Sequence, residues 1–155
     1  MAGTHGIEGA NAVDLHEEAA RRLRTIDARY TSKRRALVEV LERADHPLAM
    51  PELIEANGSL AQSSVYRNLA ALEHAGIVRR IVTNDDFGRF ELSEAVSGHH
   101  HHHLICSSCG SIEDFTLPER VESDVSREFA DVARERSFET VAHQMDLIGR
   151  CASCQ

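Results

Sequence analysis

Helical segments followed by an alternating hairpin, then two Cys-x-x-Cys pairs bracketing a β-β-α-β pattern, predict an α+β protein of two lobes. The first lobe, residues 14–94, reads as a winged helix-turn-helix that binds DNA. The second, residues 99–155, reads as a small α/β dimerisation domain with a four-cysteine zinc site. AVSG, residues 95–98, punctuates the chain as the hinge between them. A chain of 155 residues, 42% hydrophobic and 27% charged, is long enough for two small cores. Residues 1–13, rich in Gly, Ala and small polar groups, are expected to be disordered.

Each element has a local reason. DLHEEAARRLRTIDAR offers Asp14 as an N-cap and places Leu15, Ala19, Leu23 and Ile26 at helical spacing. TSKRRALVEVLERA follows, capped by Thr31 or Ser32, with Ala36, Leu37, Val40 and Leu41 as its apolar stripe. Pro51 is suited to the first turn of a short helix that Gly58 ends. SLAQSSVYRNLAALEHAG puts Leu60, Val65, Leu69 and Leu72 on one side and closes at Gly76. IVRRIV, the turn TNDDFG and RFELS then alternate as a two-stranded wing. Beyond the hinge come strands HHLIC and SIEDF, a helix opened by Pro118 and running through Val121, Val125, Phe129 and Val132, and a last strand around FETVAHQMDLIG.

Charge is divided between the lobes. The net charge of −8 argues against a protein that coats nucleic acid nonspecifically, because phosphate neutralisation needs clustered Lys and Arg. Residues 20–36, however, carry seven basic side chains against Asp27 alone, whereas residues 98–155 carry five against ten acids. That asymmetry suits a nucleic-acid lobe joined to a lobe with another task, with a solvated helix face as the plainer reading. On the recognition helix, Tyr66 can meet thymine methyls, and Arg67, Ser63 and Ser64 can reach bases or phosphates of double-stranded DNA. Phosphate contacts are expected from the basic cluster, Arg29 and Arg34 included, and from Arg79, Arg80 and Arg89 beside the wing. Exposed edge strands in the second lobe invite a homodimer, which would duplicate the recognition helix for a palindromic operator.

The longest apolar runs fall far short of the ~20 residues that span a bilayer, and the N-terminus lacks a basic start and an apolar core. A cytoplasmic protein without membrane contact is expected. In that compartment the pairs Cys106/Cys109 and Cys151/Cys154 read as a tetrahedral thiolate zinc site, with a redox pair or two disulfides as the alternatives. HHHHHLICSSCG places five consecutive histidines immediately before the first pair. Alternation along a strand turns His101 and His103 to one face and His100 and His102 to the other, so one tract can feed two metal sites. Imidazole with carboxylate suits Fe(II), Mn(II), Zn(II) or Co(II).

SSVYRNLAALEHAGIV, FELS, HHHHHLICSSCG and HQMDLIGRCASC together resemble, in order and spacing, the ferric uptake regulator family of metal-dependent transcriptional repressors. The resemblance runs from about residue 15 to the C-terminus. It implies a dimeric repressor, not an enzyme and without a small-molecule substrate, that binds operators when loaded with metal. It implies structural zinc on Cys106, Cys109, Cys151 and Cys154. A regulatory site between the lobes would use Glu91, His101, His103 and Asp114, with His46 as the N-lobe histidine. A second site in the dimerisation domain would use His100, His102 and His143, with Glu122 as its carboxylate. Zinc-sensing members place a cysteine where this chain has Ser93, and an aspartate where it has Arg79. The Glu91 version is similar to the iron- and peroxide-sensing branches, so Fe(II) leads, with Zn(II) or Mn(II) behind it. A small metalloenzyme is the competing class, disfavoured because no His-Glu-x-x-His motif and no separate pocket-forming domain are evident.

Overall fold

The computed structural model describes residues 14–58, 60–83 and 88–155. The expected disordered segment, 1–13, and the tip of the wing turn, 84–87, lie outside them.

The N-terminal lobe begins with α1 (Leu15–Arg24), whose first turn is capped by the Asp14 carboxylate, accepting from the backbone N–H of His16 and Glu17. Helix α2 (Ser32–Arg43) is capped by the Thr31 hydroxyl. Then come β1 (Leu48–Ala49), α3 (Met50–Ala56) and α4 (Gln62–His74), and the wing strands β2 (Val78–Ile81) and β3 (Arg89–Leu92). The apolar stripes meet in one core, with Leu23, Leu37, Leu53, Val65, Leu72 and Ile77 fully buried. Gly76, at φ +67°, takes the left-handed turn that lets the chain leave α4 and enter β2. The wing has three strands rather than two, in the order β1-β3-β2, because Leu48 and Ala49 pair antiparallel with Phe90 and Arg89. A two-residue strand has too little alternation to show in sequence.

The expected hinge holds a one-turn helix, α5 (Glu94–Ser97), ended by Gly98 at φ +70°. Helix α5 contacts α1, and Val96 packs on the N-terminal core, so most of the expected hinge belongs to the first lobe. The second lobe follows as β4 (His102–Cys106), β5 (Ile112–Phe115), α6 (Glu119–Glu135) and β6 (Asp146–Gly149). Its sheet runs β5-β4-β6, with β4 antiparallel to β5 and parallel to β6. The final strand is shorter than FETVAHQMDLIG suggests, with residues 137–145 irregular.

Two registers position the site. In the wing, Arg79 stands opposite Glu91; in the second sheet, His103 stands between Asp114 on β5 and Asp146 on β6. Ile81 of the wing forms a small buried cluster with Ile105 and Ile112, joining the two sheets beside those rows. Helix α6 has no buried residue, and Phe129, Val132, Phe138, Val141, Leu147 and Ile148 are exposed. No helix among the described residues is long and apolar enough to cross a membrane.

Candidate metal centres

Three clusters of ligand-type side chains form, each with its donor atoms within 4.8 Å of one another. The first is Cys106, Cys109, Cys151 and Cys154, none in a disulfide. Four thiolates at ~2.3 Å from a tetrahedral ion stand roughly 3.8 Å apart. Cys109 Sγ and Cys151 Sγ are 3.8 Å apart. Backbone N–H groups of Cys151, Cys109 and Ser108 point at the Cys106 sulfur and lower its pKa to about 6. The neighbouring sulfurs of Cys151 and Cys109 push Cys154 up to about 12, as expected where thiolates crowd without a cation between them. The chemistry of the donor set fits zinc.

The second cluster is Glu91, His101, His103 and Asp114. Glu91 Oε2 lies 3.1 Å from His101 Nε2 and 3.3 Å from His103 Nε2. Asp114 stands 3.8 Å from each of the same two nitrogens. Donors about 2.1 Å from one ion are separated by roughly 3.0–3.4 Å in octahedral or tetrahedral arrangements, so modest contraction would satisfy a divalent cation. His103 is fully buried, and its Nδ1 lies 3.0 Å from Asp146 Oδ1. That carboxylate holds Nδ1–H and turns Nε2 inward. Burial disfavours a charged His103, yet the Glu91 and Asp146 carboxylates outweigh it and raise its pKa. Burial would likewise raise Glu91, but hydrogen bonds from His103 and the charge of Arg79 bring it down to about 2.

His46 is not gathered with these four. It lies on the wall of the same cleft, about 690 Å³, that Glu91, His101 and Asp114 line. Its ring nitrogens face Asp45 at 2.7 Å and Glu52 at 3.3 Å instead. Those carboxylates, Asp45 foremost, raise its pKa. Glu52 is held in turn by capping the Ala49 N–H of α3.

The third cluster, on the opposite face of β4, is His100, His102, Glu122 and His143. Glu122 is the carboxylate gathered with these three histidines. Its Oε1 lies 2.9 Å from both His100 Nε2 and His143 Nε2. The two nitrogens stand at ion-pair distance from that oxygen, and the three buried atoms have no further partner among the described residues. Buried polar atoms converging without hydrogen bonds suit a shared cation. The contact from His102 Nε2 to Glu122 Oε2, 2.9 Å, is well formed and lowers the Glu122 pKa. Glu94 of α5 takes His100 Nδ1 at 2.8 Å.

The expected DNA face needs two corrections. Ser64 is buried, and its hydroxyl and carbonyl face the Asn68 amide, so it cannot present its hydroxyl to a groove. Arg79 turns from the expected phosphate contact to Glu91, with Nε 2.8 Å from Oε1. Tyr66, Arg67 and Ser63 remain exposed on α4. Arg29 is exposed and its carbonyl accepts from the Arg34 guanidinium; Arg80 stacks over Phe90. Sequence reasoning missed Asp146, Glu94 and the true partner of Arg79. Asp146 was legible only as an acid inside a strand pattern, since the register that brings it to His103 spans a long separation.

Comparison with known proteins agrees with this architecture. The sequence pattern of the ferric uptake regulator family matches residues 25–148. The ferric uptake regulation protein of Bordetella parapertussis is 34% identical over 103 residues, covering 66% of this chain and 68% of its own. The peroxide-responsive repressor PerR of Staphylococcus aureus is 30% identical over 145 residues, covering 90% of each. The fold is that of the Helicobacter pylori ferric uptake regulator, with a TM-score of 0.66 at 24% identity over 94% of this chain and 97% of that one. A winged helix joined to a second lobe with clustered ligand-type side chains, matched over most of its length, makes this chain a member of the ferric uptake regulator family of metal-responsive regulators.

Proposed function

We infer that the chain is a metal-dependent transcriptional repressor that binds palindromic double-stranded operators as a homodimer in the cytoplasm and controls genes of metal homeostasis, with Fe(II) as the sensed ion. The observation that carries this reading is that Glu91 belongs to the wing sheet, whereas His101, His103 and Asp114 belong to the second lobe. A divalent cation there supplies the positive charge that holds these donors together. Glu91 then ties the wing to β4 and β5, and His46, leaving Asp45 and Glu52, can close the cleft from the α2–α3 side. Fixing the wing against the second lobe sets the spacing of the two α4 helices, so DNA and metal each raise the affinity for the other by the same factor.

Dimerisation through the second lobe is supported by the apolar side chains exposed on α6 and β6, which a second copy would cover. The iron preference is supported by a donor set of nitrogen and oxygen with two carboxylates and no thiolate. A peroxide- or manganese-responsive role is the second reading, favoured by the likeness to the S. aureus repressor over 90% of the chain. The deciding experiment titrates operator binding with Fe(II), Mn(II) and Zn(II) separately, with metal content measured on each sample. Equal affinity for operator and random duplex at every metal level would remove the repressor reading.

A further inference from the structure

We propose that Arg79 is a built-in competitor for the cation at the Glu91 cluster, a tethered positive charge that sets the metal level at which the site fills. This rests on the reading of that cluster as a metal site. Arg79 on β2 stands directly opposite Glu91 on β3. Its Nε and Nη2 both donate to Glu91 Oε1, the former at 2.8 Å. The same Nη2 lies 3.4 Å from His103 Nε2. One guanidinium nitrogen thus touches two of the four cluster residues, Glu91 through Oε1, while Oε2 faces the histidines, and His103 through Nε2.

Position makes the two cations competitors. The Glu91, Asp114 and Asp146 carboxylates could balance a divalent ion and a guanidinium in total charge. A guanidinium whose Nη2 rests 3.4 Å from His103 Nε2, however, would stand within a few ångströms of an ion bound to that nitrogen, beside Glu91, 8% exposed, and His103, fully buried. Like charges a few ångströms apart at such a site repel by an amount that solvent screens only partly. Arg79 has a way out, because its side chain is 24% exposed. The cost of parting Arg79 from Glu91 is charged against metal binding. The site therefore fills at a higher concentration than its donors alone would require, which is useful in a sensor that must stay empty at low metal.

A plainer role, in which Arg79 only orients Glu91, predicts the opposite sign. The two are separated by Arg79→Gln and Arg79→Lys, each made in a His143→Ala background that weakens the other histidine cluster. Mn(II) affinity is read from the free-ion paramagnetic resonance signal, and melting temperature is read with and without Mn(II). Arg79→Gln should bind Mn(II) more tightly by roughly tenfold, the equivalent of about 1.4 kcal/mol. Its metal-free melting temperature should fall while the Mn(II)-induced rise grows. Arg79→Lys, which keeps the charge, should stay near the parent affinity. Equal or weaker Mn(II) binding by Arg79→Gln overturns the proposal, as does Arg79→Lys binding as tightly as Arg79→Gln. If His101→Ala/His103→Ala leaves the Mn(II) titration unchanged, the metal-site reading falls with it.

Discussion

The two histidine clusters draw on one run, His100 to His103, whose last two residues open β4, and differ in what surrounds them. His101 and His103 face a set drawn from both lobes, most of it already hydrogen-bonded, Arg79 and the histidines on Glu91 and Asp146 on His103, with Asp114 standing off at 3.8 Å. His100 and His102 face a set drawn from the second lobe and joined to the first through Glu94, in which buried atoms of His100, Glu122 and His143 are at ion-pair distance but have no hydrogen bond among the described residues. A satisfied cluster has a stable arrangement without metal, so an ion there chooses between two arrangements. An unsatisfied cluster gains mainly stability from an ion. The contrast supports the proposal that the first cluster switches and the second holds.

The sharpest way to break this contrast is a pair of double variants. His101→Ala/His103→Ala should lose about 100-fold of metal-stimulated operator affinity, near the upper end of ordinary coupling. His100→Ala/His102→Ala should keep most of that stimulation and lose metal-dependent thermal stability instead. Equal losses of stimulation in gel-shift titrations would erase the distinction. A smaller effect is expected at Asp146, which touches a ligand and not the ion. Asp146→Asn should weaken Mn(II) binding by ~10-fold while leaving DNA binding at saturating metal intact. Unchanged affinity would mean that the His103 tautomer is held by something else.

The acid side of the metal-free stability curve tests how well the first cluster is satisfied. Glu91 is depressed from 4.5 to about 2, so its pairing stabilises fully above pH 4.5 and is lost as pH falls through about 2. The stability gap between the parent and Glu91→Gln, measured by urea unfolding, should therefore shrink across that window. A gap independent of pH would place the stabilisation outside the ion pairs. The smallest expected change belongs to Glu94→Gln, which removes one charge from an exposed partner of His100. A loss of a few-fold in second-cluster affinity, at most, is the order expected for a partly exposed pair.

Much of this was legible in the chain. Helical stripes around Leu23, Leu37, Leu69 and Leu72 depend on local periodicity, and they form the buried core. The split of the histidine run between two faces follows from strand alternation, and both faces acquire carboxylates. Ser64 was misread because only the orientation of α4 on α2 decides which serine of the pair faces outward. His46 was grouped with Glu91 by resemblance, whereas Asp45 and Glu52, close to it in sequence, hold it in this arrangement.

The sequence by itself determined most of the elements, though not β1 or α5, together with the two-residue spacing of the cysteine pairs and the division of histidines, because each depends on neighbours within a turn or a pleat. Tertiary structure alone decided that Arg79 serves Glu91 rather than phosphate, that Asp146 stands beside His103, and that Glu94 reaches across to His100. Those contacts depend on strand register and on how two lobes meet. Both are properties of packing, set by which apolar faces bury each other and which charges must then find a partner.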